Sequence, residues 1–256
     1  MSKISLLAFD MDGTISVSKT PLDEEISKTL GEILQNRKIA VITGADLPQL
    51  EKQVIIPLQK VKANIDNIIL LPTCGSQFFY YVNGKTTKMY SEDLSVDEKS
   101  KIFIALEYAI NQTGSKPEKI YGEQIEDRGT QVTFSAIGQD CPVDVKSTWD
   151  PDMTKRKAMK KILDELLPDF DIKIAGLSSI DITRKGIDKK YGMMKLLEHT
   201  KIPTEEIIFF GDKLVPDGND YPVIETGIRC ILVQDHRHTN SILKEIISKR
   251  FEYIKD

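Results

Sequence analysis

Asp10 and Asp12 stand two residues apart in Asp10-Met11-Asp12-Gly13-Thr14, directly after the apolar run Ile4 to Phe9. Two carboxylates at that spacing, on a turn loosened by glycine, can divide the work of group transfer. One attacks or holds a metal while the other moves a proton. A plain Asp-Gly turn is the simpler alternative. A calcium loop of the EF-hand kind is excluded, because its sixth position would be Ile15 instead of glycine and its twelfth Pro21 instead of glutamate. Three further loops carry suitable groups. Thr43-Gly44 offers a hydroxyl and a pliable backbone to a phosphoryl oxygen, or else an ordinary helix cap. Gly186-Ile187-Asp188-Lys189 opens a helix with a cation, which alone would pass for a solvated lysine. Gly211-Asp212-Lys213 and Gly218-Asn219-Asp220 follow the apolar strand Ile207 to Phe210. Acids there suit a hard cation such as Mg2+, which prefers oxygen ligands, although turn-rich surface loops also look like this.

Those loops need elements to hold them. The pattern predicts a buried strand over Ile4 to Phe9 and a helix from Thr20-Pro21 to about Asn36. A strand at Lys38 to Thr43, a helix from Asp46 to about Val54 and a strand at Ile68 to Leu71 follow. Alternation of this kind builds a parallel sheet covered on both faces. The pattern then changes. Phe78 to Val82 and Lys85 to Tyr90 flank Asn83-Gly84, a hairpin signal, and Ser95-x-x-Glu98 opens a long helix as a capping box. Strands are expected at Gln131 to Ile137 and Asp171 to Thr183, with a helix between them from about Asp152 to Leu166. Alternation then returns: a helix at Asp188 to Glu198, a strand at Glu206 to Phe210, a helical Tyr221 to Thr226, a strand at Arg229 to Val233 and a helix at Asn240 to Lys249. The expected fold is α/β: a Rossmann-like parallel-sheet core from residues 1–86 and 187–256, with an α+β domain inserted at 87–186. In such sheets ligands bind at the carboxyl ends of the strands, where all four loops fall.

Composition bounds the partners. The 256 residues are 40% hydrophobic and 29% charged, enough for a sizeable core and too apolar for disorder throughout. Thirty-five basic against 39 acidic side chains give a net charge of -4, which argues against nucleic acid. The Lys155 to Lys161 cluster reads as a solvated helix face. The first ten residues are too short for a signal segment, and no run suits a membrane span. Cys74, Cys141 and Cys230 are odd in number and far apart, so reduced thiols and a cytoplasmic setting are expected. No cysteine–histidine spacing suits zinc. Whether the chain forms a homodimer is open at this stage.

Taken together, the four loops resemble the haloacid dehalogenase superfamily of phosphotransferases over essentially the whole chain. The resemblance implies Asp10 as nucleophile, Asp12 as general acid/base, Thr43 and Lys189 as phosphoryl-binding catalytic residues, and Gly44 beside them. It implies Mg2+ held by the carboxylates of Asp10 and Asp212 and by the backbone carbonyl of Asp12, with Asp220 holding the ion's waters. The insert matches the large cap found between the second and third motifs. GDKLVPDGNDYP and SSIDI further resemble the phosphomannomutase and sugar-phosphatase branch. By that likeness Ser179 and Asp181 face a sugar, Arg128 grips phosphate, and Lys19 replaces an arginine after the first motif. Gln139 stands where the mutases place another phosphate-gripping arginine. On those two departures the expected activity is a Mg2+-dependent phosphatase of small sugar phosphates working through an aspartyl phosphate. A phosphomannomutase interconverting mannose 1-phosphate and mannose 6-phosphate is the alternative. A signalling receiver needs neither the DxDGT string nor so large an insert.

Overall fold

The computed structural model describes residues 4–249; Met1 to Lys3 and residues 250–256 lie outside the described part. The chain divides into two compact units, Met1–Ser91 with Ile187–Asp256, and Glu92–Gly186.

The first unit begins with strand β1 (Leu6–Asp10), buried at every position. Its alternate side chains feed two cores. Leu7 and Phe9 join one cluster, and Leu6 and Ala8 the other. Such two-sided burial explains a continuous apolar run rather than an alternating one. Helix α1 (Glu24–Leu34) follows, capped by Asp23, whose carboxylate accepts from the Ile26 amide. The helix therefore starts later than Thr20, whose hydroxyl instead donates to the Val17 carbonyl in the preceding turn. It also stops at Leu34, short of Asn36.

After β2 (Lys38–Ile42) the single helix expected to end at Val54 runs on. It comprises α2 (Leu47–Leu50), a π-helical turn (Glu51–Ile55) and α3 (Ile56–Lys60). Pro57 explains the wide turn. It has no amide proton for the Gln53 carbonyl four residues back, and its ring crowds that position. The freed Gln53 carbonyl accepts from the Leu22 amide at 2.9 Å instead. Strand β3 (Ile68–Leu71) leads to the hairpin β4 (Gln77–Val82) and β5 (Lys85–Ser91). Asn83 and Gly84 both take positive φ (52° and 80°), the two-residue turn that matches strand twist.

The second unit opens with α4 (Val96–Thr113), whose Ser95–Glu98 capping box is formed as expected. Then come β6 (Ile125–Asp127), β7 (Gln131–Ser135), α5 (Val143–Trp149), α6 (Thr154–Leu166), β8 (Phe170–Ala175) and β9 (Ser179–Arg184). The strand expected over Asp171 to Thr183 is thus two strands joined by a turn through Gly176, at φ 48°. Its sheet, in the order β6-β7-β9-β8, is antiparallel. One face packs Val132, Phe134, Ile180 and Ile182 against Ile102 and Leu106 of α4 and Met159 and Leu163 of α6.

The chain returns to the first unit with α7 (Lys189–Thr200), capped by Asp188, and β10 (Ile207–Gly211). A 3-10 segment (Tyr221–Thr226), β11 (Arg229–Leu232) and α8 (His236–Ser248) complete it. Helix α8 begins four residues before the expected Asn240, because Asp235 accepts from the amides of Arg237 and His238. The large sheet has the order β11-β10-β1-β2-β3-β4-β5, parallel through β3 and antiparallel beyond. Strand β5 belongs to this sheet, so the second unit starts at Glu92 and not at 87. No described helix is long and apolar enough to cross a membrane.

Candidate active site

Parallel pairing sets three strand ends side by side. Asp10 closes β1 opposite Ile42 of β2, and Phe9 lies opposite Phe210 of β10. Asp10, Thr43 and Asp212 therefore meet at one carboxyl edge, where side chains at the ends of neighbouring strands converge. Helix α7 delivers Lys189 from its first position. The Lys189 ammonium lies 2.6 Å from Asp10 Oδ1 and 2.5 Å from Asp220 Oδ1, and all three side chains are buried. Asp220 Oδ2 also accepts from the Lys213 amide at 3.0 Å. The Lys189–Asp220 link is not visible in the sequence; thirty-one positions separate the two residues.

Oxygens of Asp10, Asp212 and Asp220 lie within 4.8 Å of one another. Asp212 Oδ1 is buried and has no hydrogen-bond partner. A buried carboxylate oxygen in that state carries an unmet cost that a cation would relieve. Three carboxylates against one ammonium leave an excess of two negative charges, which suits a divalent ion. Burial pushes the Asp10 carboxyl up to about 7, against the pull of the Lys189 ammonium and with the push of Asp220. Burial likewise opposes the charge on Lys189, yet Asp10 and Asp220 together hold its pKa above the usual lysine range. The residues present fit a hard cation, with Asp10, Asp212 and Asp220 as the carboxylate donors. Asp12 adds no side-chain oxygen to this group.

Two glycines shape the cradle. A side chain at Gly13, which has φ 86°, would put its first carbon 2.6 Å from Asp212 Oδ2. One at Gly211 would stand 2.6 Å from Asp220 Oδ2. Glycine is needed at both positions because the carboxylates close directly over the backbone. Asp12 is half-buried beyond the cluster, and its Oδ1 accepts from the Lys19 amide at 2.8 Å. The structure thus gives Lys19 a backbone role: at φ 59° it turns the loop so that its N–H holds Asp12. Thr43 is buried, and its Oγ1 accepts from the Ala45 amide at 3.2 Å, leaving the hydroxyl proton for another acceptor. Helix α2 is capped by Asp46, so Thr43 is not spent as its cap. At Gly44 an added side chain would meet nothing within 4 Å, so sterics do not require glycine there.

Arg128, Gln139, Ser179 and Asp181 all lie in the second unit. Asp181 Oδ1 accepts from Thr133 Oγ1 at 2.8 Å, and Arg128 is paired with Glu126 at 2.7 Å. Neither Thr133 nor Glu126 was singled out by the sequence; alternation on a strand was the available signal. Lys146 is mostly buried and donates to the Gln139 carbonyl at 2.9 Å.

Comparison with known proteins supplies the family. The profile described as eukaryotic phosphomannomutase matches residues 26–249. A phosphomannomutase of Spinacia oleracea is 28% identical over 221 residues, 84% of each chain. One from Saccharomyces cerevisiae is 25% identical over 253 residues, 95% of this chain and 94% of its own. Among solved structures, Plasmodium falciparum IMP-nucleotidase superposes with a TM-score of 0.70 at 17% identity, over 97% of this chain and 69% of its own. A haloacid dehalogenase-like hydrolase from Bacteroides thetaiotaomicron superposes with a TM-score of 0.64 at 15% identity, over 95% and 100%. These two likenesses show the α/β fold with its antiparallel second sheet. The family match and the phosphomannomutase relatives overturn the expectation of a phosphohydrolase, which rested on Gln139 and Lys19. Beside the first of those departures the Lys146 ammonium donates to the Gln139 backbone carbonyl at 2.9 Å. The residues at the end of β1 and the match along most of the sequence agree: the chain is an enzyme of the haloacid dehalogenase superfamily and belongs to the eukaryotic phosphomannomutase family.

Proposed function

We propose that this protein is a phosphomannomutase, interconverting mannose 1-phosphate and mannose 6-phosphate. The observation that carries the reading is the Asp10–Lys189–Asp220 cluster beside Asp212, in a chain matched by that family over residues 26–249. Asp10 is the nucleophile. Its carboxylate attacks phosphorus in line, the ester oxygen leaves, and an aspartyl phosphate forms. Lys189 pulls Asp10 toward its ionised form against burial and shares its charge with the arriving phosphoryl oxygens. Thr43 donates its hydroxyl proton to the same group. Asp12 protonates the departing sugar oxygen and later takes the proton from the sugar hydroxyl that accepts the phosphoryl group. Its hydrogen bond from the Lys19 amide fixes one oxygen and leaves the other to move the proton.

Asp10, Asp212 and Asp220, with the Asp12 carbonyl, would hold Mg2+, whose charge offsets the repulsion between a carboxylate nucleophile and a phosphate. In the second unit, Arg128, with Lys146 beside Gln139, meets the phosphate that is not being transferred, and Ser179 and Asp181 meet the sugar. Gly44 lies next to Thr43, where a bare backbone admits a phosphoryl oxygen. The test follows mannose 1-phosphate by phosphorus NMR in the presence of Mg2+ and a hexose bisphosphate. Isomerisation faster than release of inorganic phosphate is the expected result. Release of phosphate with no isomer formed would overturn the reading.

A further inference from the structure

Strand alternation gives the sheet of the second unit two unlike faces. Val132, Phe134, Ile180 and Ile182 point to α4 and α6. Gln131, Thr133 and Asp181 occupy the other face, with Thr133 directly opposite Asp181 in the β7–β9 register. Gln131 and Thr133 are only 2% and 3% exposed. Their hydrogen bonds run in one direction. Gln131 Nε2 donates to Thr133 Oγ1 at 2.8 Å, and Thr133 Oγ1 donates to Asp181 Oδ1 at 2.8 Å. Because the amide occupies a lone pair of the threonine oxygen, the hydroxyl proton is committed to the carboxylate. The β-branched side chain of Thr133 has few rotamers to lose in holding that geometry.

A sheet does not need this arrangement for stability. Valine fits the same backbone and avoids burying a hydroxyl, an amide and a charge, each of which costs free energy to desolvate. We infer that Thr133, backed by Gln131, is a positioning residue that anchors Asp181 by one oxygen and aims the other at hydroxyl groups of the sugar ring. The fixed carboxylate then reads where those hydroxyls stand. Loss of the tether leaves Asp181 free to turn, and a hydroxyl in the right place no longer gains its full hydrogen bond. Burial, helped by Glu126, raises the Asp181 carboxyl above its usual range, against the pull of Arg128, of the Thr133 hydrogen bond and of Lys173.

The inference rests on the mutase reading for its choice of sugar, and binding separates the two. Calorimetric titration would compare mannose 1-phosphate with its 2-, 3- and 4-deoxy analogues on the intact protein. The wild type should bind at least one analogue about tenfold or more weakly than the parent, the size of a hydrogen bond to a charged acceptor. Thr133→Val should close that gap by weakening mannose 1-phosphate and sparing the analogue, and Thr133→Ser should reopen it. Gln131→Leu should narrow the gap in the same direction, and it serves if Thr133→Val does not fold. A gap of unchanged size in these variants, or no gap in the wild type, would overturn the inference. Absence of isomerisation with the gap closing as expected would instead count against the mutase reading alone.

Discussion

Lys189 touches two carboxylates at once, 2.6 Å from Asp10 and 2.5 Å from Asp220, so its single charge must serve both. Burial raises the carboxyl of Asp10, the proposed nucleophile, to about 7, and the shared ammonium keeps it from being pushed further. Asp10→Asn keeps the shape and removes the attacking charge. Turnover of mannose 1-phosphate should fall at least about a thousandfold, read in a coupled assay, because no neighbouring side chain can take over covalent transfer. Asp212 makes a different contribution. Its Oδ1 has no hydrogen-bond partner, so Asp212→Ala costs the folded chain little and costs a bound cation a direct ligand. Calorimetry should show Mg2+ affinity lower by about a hundredfold, with an unfolding midpoint equal to or above that of the wild type without metal. The identities of Asp10, Asp12, Thr43, Lys189, Asp212 and Asp220 were legible because each sits in a short string with its own residue types. What Lys19 and Gln139 do was not. Lys19 acts through its amide, and the neighbour of Gln139 is seven positions away on a helix that composition did not announce.

Position along an element decides whether those groups meet. Helix α7 carries Lys189 in its first turn, and Gly192 packs against the loop after β3, where Thr73, Cys74 and Gly75 all have positive φ. A side chain at Gly192 would put a carbon 2.6 Å from the Cys74 carbonyl oxygen and 2.5 Å from Ile42 Cδ1. Gly192→Ala should therefore push the start of α7 outward. A loss of about 1–3 kcal/mol in chemical denaturation is expected, together with a drop in kcat as Lys189 moves off Asp10. In the second unit Arg184, at the end of β9, donates to both carboxylate oxygens of Glu98 and to the carbonyls of Glu92 and Asp93. These bonds close the two chain ends of the unit on each other. The Arg184 guanidinium, together with the Ser95 amide, holds the Glu98 carboxyl at about 2, below its ordinary 4.5. The stabilisation is complete above pH 4.5 and fades as pH falls toward 2, where Glu98 protonates even when folded. Solvent screening limits it to about 1 kcal/mol. Glu98→Gln should lower the thermal midpoint at pH 6 by a few degrees and leave it nearly unchanged at pH 2. The helix caps and the Asn83-Gly84 turn were legible because their signals are local. Strand β6 and helix α5 were not, since each is short and polar and owes its place to neighbours distant in sequence.

At the scale of the whole molecule, the groups proposed for the chemistry and those proposed to read the sugar fall in separate units. Every carboxylate of the candidate metal group and Lys189 belong to residues 1–91 and 187–256, whereas Arg128, Thr133, Ser179 and Asp181 belong to 92–186. Each unit has its own sheet and its own hydrophobic core. An inserted segment with a closed core and chain ends joined by Arg184 has what a domain needs to fold alone. Residues 92–186, expressed separately, should therefore unfold cooperatively in urea, with a stability of about 5 kcal/mol or more. Their circular dichroism should show both helix and strand. The fragment should bind no Mg2+ and transfer no phosphoryl group, having none of the residues proposed to do so. The polar face carrying Gln131, Thr133 and Asp181 belongs entirely to this segment, so a weak, Thr133-dependent affinity for mannose 1-phosphate should survive in it. A fragment that aggregates or lacks a cooperative transition would show that its core depends on the first unit. The two sheets would then be one folding unit, with a division of labour but no independence.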